Sequence, residues 1–213
     1  MAAAEVRHPL FARMYERMAP AFEAKGSGAH RDETLAGLAG RVIEGGAGTG
    51  LNFAHYPDSV TEVIAVEPEP YLRDKAEKAG AGARVPVRVV DGVADRLPAE
   101  DASCDAGVAS LVLCSVADQA AALAELHRVI RQGGELRFYE HIRSDSPGFA
   151  RFQRAVDVVW PHLGGGCHAS RATLDEIEAA GFTIEQARRF TFRPSAVTIP
   201  VSPHAIGIAR RRA

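Results

Sequence analysis

Cysteine is scarce in this chain. Cys104, Cys114 and Cys167 are all it has, an odd number, widely spaced and without a Cys-x-x-Cys pair. That excludes a disulfide framework and any metal-ligand motif readable from spacing, and it suits reduced thiols in a cytoplasmic setting. Tryptophan is scarcer still, with Trp160 alone. Long apolar runs are missing: the longest, 106–117, spans about twelve residues and includes Ser110 and Ser115, whereas a membrane span needs roughly 20. Near the start, Glu5, Arg7, Arg13 and Glu16 interrupt the apolar residues, so no secretory leader is read there and no membrane attachment is expected. Excess charge of one sign is absent too. The 25 Lys and Arg against 27 Asp and Glu leave a net charge of -2, which gives no nucleic-acid footprint. Arg210-Arg211-Arg212 reads as a solvated end. What remains is ordinary: 213 residues, 46% hydrophobic and 24% charged, enough for one domain, 1–213, with a full core.

Within that ordinary composition one stretch stands out. Arg41-Val-Ile43 is a short β-branched run, and glycines follow at 45, 46, 48 and 50. A strand feeding into alternating glycines makes a tight turn whose backbone is open to close approach by a ligand. About twenty residues on, Val63-Ile-Ala-Val66 ends in Glu67, and an acid closing a second strand suits the two hydroxyls of a ribose. The spacing Glu-x-Gly-x-Gly-x-Gly leaves a single residue between its last two glycines, unlike the dinucleotide fingerprint, which has two.

Along the chain, periodicity predicts a helix over 10–24, with Phe11, Met14, Met18 and Phe22 on one stripe and Tyr15 beside it. Tyr15 and Arg13 are placed to meet a ligand carboxylate if this helix closes over the glycine turn. Gly26-Ser-Gly28 is expected to break that helix, and 32–38 to form a second short one. Strands are expected at 61–66, 85–90, 102–109 and 135–141, and helices over 68–79 and 118–130. Such βα repeats imply an α/β, doubly wound, mostly parallel sheet covered on both faces. Residues 144–168, with a helix at 149–160 and then Gly164-Gly-Gly166, read as a lid, and 171–180 as a helix closed by Gly181. Residues 182–192 and 204–211 read as a final hairpin.

Glu44-Gly-Gly-Ala-Gly-Thr-Gly50, Val66-Glu-Pro68, Leu97-Pro98, Ala102-Ser-Cys-Asp105 and the run from Leu126 to Gly134 follow one another in this order. They resemble the motifs of class I S-adenosylmethionine (SAM) dependent methyltransferases. Ser110-Leu-Val-Leu-Cys-Ser-Val116, Tyr139-Glu-His141, and Trp160 followed by Gly166-Cys167 and Arg171 resemble the methyltransferase-like thiol S-methyltransferases and their bacterial relatives. The resemblance implies a Rossmann-like, seven-stranded sheet with its last strand antiparallel, an N-terminal helical cap over 1–40 and a lid insertion over 143–170. It also implies SAM as cofactor, with S-adenosyl-L-homocysteine as product. Gly46, Gly48 and Gly50 would then meet the methionine and ribose portions, with Glu44 ordering the loop and Glu67 binding the ribose hydroxyls. Asn52 and Pro68 join the cofactor-binding set, the loop Gly92-Val93-Ala94 faces adenine, and Ser110 and Leu111 lie beside the sulfonium. Many class I enzymes have Asp where Val93 stands, which leaves Asp91 or Asp95 as a substitute.

Methyl transfer from a sulfonium is an in-line displacement, and alignment alone can supply roughly 7–11 kcal/mol. Ionising a thiol of pKa about 8.5 at neutral pH costs roughly 2 kcal/mol, and a phenol near 10 costs about 4. An aliphatic alcohol, near the ~15.7 of water, would cost about 12 and demand a strong base or a metal. With no metal-ligand spacing in view, the residues favour a soft or acidic nucleophile, so the metal expectation is none. His141, closing the fifth strand, is the first candidate base and His168 the second. Trp160, Arg171 and Cys114 are the candidate substrate contacts, although Cys114 and Trp160 read first as core packing. The partner expected is a small molecule, with no nucleic acid, for a monomer or homodimer. O- or C-methylation of a phenolic or quinone-like metabolite, and a SAM-binding protein without turnover, stay open beside S-methylation.

Overall fold

A computed structural model describes residues 8–212; Glu5 and Arg7 lie outside them, as does the start of the expected 1–40 cap. The core is a sheet of seven strands in the order β3-β2-β1-β4-β5-β7-β6. These are β1 (Gly40–Gly45), β2 (Val60–Val66), β3 (Val87–Val90), β4 (Cys104–Ser110), β5 (Ile130–His141), β6 (Phe182–Thr191) and β7 (Pro203–Arg211). The pairs among β1 to β5 are parallel, and β7 runs antiparallel to both β5 and β6. Both faces of the central strands are buried, as their uninterrupted apolar runs require. Val42, Val63, Ala65, Ala106 and Val108 face one core with Leu35, Leu38, Phe53 and Tyr56. Ile43, Ile64, Val66 and Ala109 face the other, with Leu123, Leu126, Leu174 and Ile177.

The helices around the sheet are α1 (Pro9–Phe22), α2 (Gly28–Leu35), α3 (Pro70–Ala81), α4 (Gln119–Val129), α5 (Pro147–Val156), α6 (Trp160–Leu163) and α7 (Thr173–Ala179). Glu69 and Asp118 cap α3 and α4, each side chain accepting an N–H from the first turn. Between β3 and β4 the chain runs as a loop carrying only the Val93–Arg96 bridge, and β1 is followed by a single 3-10 turn, Leu51–His55. The sheet is therefore wound with fewer helices than a strict βα alternation predicts.

Several expected boundaries move. The break at Gly26 is a π-type kink, with Gly26 at φ 127°, and α2 begins directly at Gly28, earlier than the predicted 32–38 helix. The stripe on α1 is rotated by about one position: Ala12 and Ala19 are buried, Tyr15 is half-buried, and Met14 is exposed. The fifth strand begins earlier than the expected 135, because α4 passes straight into β5 at Ile130, and the register of β5 shifts where it meets Cys104 and Ala106 on β4. Among the described residues no helix is long and apolar enough to cross a membrane.

Candidate active site

The sheet order reverses between β1 and β4, which lie side by side at its centre. At such a switch point the carboxyl ends of the strands splay apart and leave a crevice. The glycine turn fills its lip. Gly46, Gly48 and Gly50 have φ of 67°, 59° and 80°, a region that residues with a Cβ rarely adopt. A Cβ at Gly46 would run into Val112, and one at Gly50 would come within 2.6 Å of Phe53. At Gly48 it would meet only the ring of Tyr15, at 3.7 Å and beyond. The turn thus presents bare backbone to the space beneath α1.

Carboxylates hold this lip from below. Glu44 is buried on β1, and it accepts hydrogen bonds from Asn52 Nδ2 at 2.7 Å and from the Tyr56 hydroxyl at 2.8 Å. Burial lifts its pKa to about 7. The Glu67 carboxylate, at the end of β2, accepts from the Gly48 N–H at 2.7 Å and the Glu69 N–H at 3.0 Å, and burial lifts it to about 7 as well. The 92–94 loop leans over the same edge: a Cβ on Gly92 would lie 3.0 Å from Val66, and one on Gly45 would lie 3.7 Å from Ala94. Asp91 and Asp95, the expected substitutes for an adenine acceptor, are both exposed, and Asp91 pairs with Arg73 at 2.9 Å. Pro68 follows Glu67 half-buried, its carbonyl accepting from Arg73.

The sequence missed Arg31. It is 5% exposed, donates to Asn52 Oδ1 at 2.6 Å, Glu23 at 3.0 Å and the Ser110 hydroxyl at 3.3 Å, and stands beside Tyr15. Its place was hidden because the second helix was expected to start at 32, which leaves Arg31 outside it, whereas α2 starts at Gly28. Arg13, the expected partner of Tyr15, lies exposed over the Tyr71 ring instead. Asn52 is engaged on both ends of its amide by Glu44 and Arg31, so it braces the wall.

The turn after β4 forms the opposite wall. Leu111 has φ 58°, a strained value for a residue with a side chain, costing on the order of 1–3 kcal/mol. Its N–H reaches the Tyr139 carbonyl at 2.7 Å, and the next three N–H groups, of Val112, Leu113 and Cys114, donate to the fully buried Glu140 carboxylate at 2.9, 2.8 and 3.2 Å. Glu140 is therefore the clamp of this turn, and burial lifts its pKa to about 7. Arg171 was expected to meet a substrate or cofactor group. Its guanidinium instead donates to the backbone carbonyls of Leu113 and Val116, closing the same turn from the other side.

His141 ends β5 next to this turn, and two sulfurs stand on it. Its Nδ1 lies 3.3 Å from Cys114 Sγ and 3.3 Å from Cys167 Sγ, and Trp160 packs against the small cluster of Cys114, Cys167, Ala169 and Val201. The imidazole is held above its ordinary pKa by the Cys167 sulfur and Glu140, which outweigh burial. These residues are 27 and 26 positions from His141, a convergence no spacing rule could reveal. His168 stands apart: its ring faces Asp157 at 3.5 Å.

The expected lid is fastened down. The buried Gln153 bonds Ser144 N–H at 2.8 Å and the carbonyls of Ile142, Ala169 and Pro200 at 2.7–3.2 Å. Gly165, at φ 61°, lies so close to the Phe11 ring that a Cβ there would strike it, so lid and cap meet over the crevice.

Comparison with known proteins agrees with this geometry. Residues 43–138 match the family model described as a methyltransferase domain. A human thiol S-methyltransferase, TMT1B, is 35% identical over 181 residues, covering 82% of this chain and 73% of that protein. The human thiol S-methyltransferase TMT1A is 33% identical, over 71% and 64% of the two chains. Among solved structures, a SAM-dependent methyltransferase from Thermotoga maritima superposes with a TM-score of 0.70 at 22% identity, over 95% of this chain and 98% of that one. A geranyl diphosphate methyltransferase in complex with SAM gives 0.69 at 16% identity, over 88% and 85%. The bare glycine turn flanked by the Glu67 carboxylate fits SAM as the methyl donor. The chain is a class I SAM-dependent methyltransferase and belongs to the family of the thiol S-methyltransferases.

Proposed function

We propose that this enzyme S-methylates a small-molecule thiol. The observation that carries the reading is the surrounding of His141. At the end of β5, where the turn after β4 closes the crevice, the imidazole Nδ1 lies 3.3 Å from each of two buried sulfurs, in a cluster against which Trp160 packs, and among the described residues no carboxylate joins them. A soft, weakly hydrated surrounding suits a polarisable sulfur nucleophile better than an alkoxide, which would need about 10 kcal/mol more to form. The names carried by the relatives at 33–35% identity support the same reading.

When bound, SAM supplies a methyl group on a sulfonium for in-line displacement. The residues of this chain bind and orient it. Gly46, Gly48 and Gly50 offer backbone to its methionine and ribose portions, Glu67 accepts from the ribose hydroxyls, and Gly92, Val93 and Ala94 cover the adenine. Arg31, with Tyr15 and Ser110, receives the carboxylate. Leu111, held in its strained conformation by Glu140 from below, sets the sulfonium end of the wall. Tyr15, Phe11 and the lid exclude water. His141 acts on the substrate sulfur; His168, turned toward Asp157, has no part in this reading.

A second reading has one observation in its favour. Tyr139, Phe190, Phe192 and His204 form an aromatic group, of which His204 meets the His141 ring edge-on with 4.7 Å between centroids. A flat phenol could stack there. Incubation with SAM and a panel of aryl and alkyl thiols, phenols and amines, read as the mass gain of one methyl group, separates the two. Turnover confined to phenols would overturn the thiol reading.

A further inference from the structure

Cys114, His141 and Cys167 come from the turn after β4, the end of β5 and the lid, yet their donor atoms all lie within 4.8 Å of one another. The two N···S separations are both 3.3 Å. In a tetrahedral zinc site with Zn–S near 2.3 Å and Zn–N near 2.0 Å, ligand atoms stand roughly 3.6–3.8 Å apart, so small side-chain rotations would open the triangle to that size. Hydrogen bonding serves the trio poorly. One ring nitrogen offers one proton or one lone pair, two sulfurs compete for it, and their other partners are distant: the Ser115 hydroxyl at 3.4 Å from Cys114 Sγ and the His168 carbonyl at 4.0 Å from Cys167 Sγ. A cation satisfies all three at once. The indole of Trp160 packs against the cluster that holds both cysteines; its N–H is buried with no hydrogen bond of good geometry and lies toward the Cys167 sulfur, the acceptor that a metal-held thiolate would supply.

Thiolate and imidazole together suit zinc and copper among the common ions, and of the two zinc is the one that activates a thiol without redox chemistry. Among the described residues no fourth His, Cys, Asp or Glu joins the cluster. Three protein ligands and an open corner are the composition of a catalytic site, where a structural one would be closed. Both cysteines are buried while His141 keeps partial exposure, so the approach is from the imidazole side.

We propose that Cys114, His141 and Cys167 bind a Zn²⁺ ion whose fourth position takes the substrate thiol as its thiolate. The inference rests on the thiol reading above and gives it a means of activation. On coordination the substrate S–H bond breaks and its proton leaves to solvent. The zinc-held sulfur then gives an electron pair to the methyl carbon as the methyl–sulfonium bond breaks. The thioether leaves the metal, zinc stays divalent, and nothing is oxidised or reduced.

The test uses the full chain. Protein purified with zinc present should hold one zinc per chain by elemental analysis, and exchange with Co²⁺ should give the intense near-ultraviolet absorption of thiolate-bound cobalt. Cys167→Ser should lose both signals; if it unfolds, chelation and re-addition of zinc to the wild type replaces it. A free thiol of pKa about 8.5 is a few per cent ionised at neutral pH, so zinc removal should slow thiol methylation roughly tenfold or more and make the rate climb with pH. Re-added zinc should restore a flat profile. Absence of bound zinc and of the cobalt absorption overturns the site. Zinc-free protein that methylates thiols as fast as the loaded form also overturns it, while leaving the thiol reading intact. Bound zinc with turnover of phenols alone overturns both the thiol reading and this activating role.

Discussion

Glu67 accepts the backbone N–H of Gly48 at 2.7 Å, which ties the glycine turn after β1 to the end of β2. Each carboxylate oxygen keeps a second lone pair, and those are free for two ribose hydroxyls. Burial lifts Glu67 to about 7. A proton there removes an acceptor, so SAM affinity should rise as pH increases from about 6 to about 8 and then level off. Glu67→Gln should abolish that dependence and weaken binding roughly tenfold to hundredfold, the range of a lost charge-assisted hydrogen bond. Calorimetric titration across this pH range checks both effects; unchanged affinity in the variant would remove Glu67 from the ribose site.

Glu140 accepts three consecutive N–H groups with two oxygens. Glu140→Gln leaves one acceptor and turns an amide toward one of those donors, which should cost about 1–3 kcal/mol in thermal unfolding. The pH sign follows from its raised value. An acid lifted from 4.5 to about 7 binds its proton more tightly folded than unfolded, so its contribution favours the fold below 4.5 and is lost as pH rises through 7. The glutamine variant should therefore show a shallower fall of stability over that interval.

Arg31 is buried beside Tyr15 and donates to Asn52 and Ser110. Arg31→Met keeps the bulk and removes the charge. It should weaken SAM, yet leave the affinity for an analogue lacking the carboxylate nearly unchanged. Equal losses for the two ligands would reassign Arg31 to bracing the wall alone.

Gly165 sits at positive φ against Phe11. Gly165→Ala should push the cap away from the lid and reduce kcat/KM roughly tenfold to hundredfold through misalignment. Circular dichroism should stay unchanged, because the sheet is untouched.

The sheet and the donor crevice were legible in the sequence because both are written in local signals: β-branched runs, a glycine turn, an acid closing the second strand. Glu44, Gly48 and Glu67 stand where those signals put them. The substrate side was not legible, because it is assembled from distant segments. Nothing near Cys114 says that Cys167 returns to it after three helices, a strand and three glycines. Arg171 carried the look of an anion receptor, and only the fold shows its guanidinium on the carbonyls of Leu113 and Val116. Arg31 was lost through a helix boundary, since a buried arginine and an exposed one look alike when the face is misplaced.

The most direct measurement compares an aryl thiol with the phenol of the same skeleton, as kcat/KM at neutral pH read by methylated product. The thiol should be preferred by roughly tenfold or more, since even an alkyl thiol near ~8.5 ionises more readily than a phenol near ~10, and an aryl thiol more readily still. Equal rates, or a preference for the phenol, would contradict S-methylation at His141 and its two sulfurs.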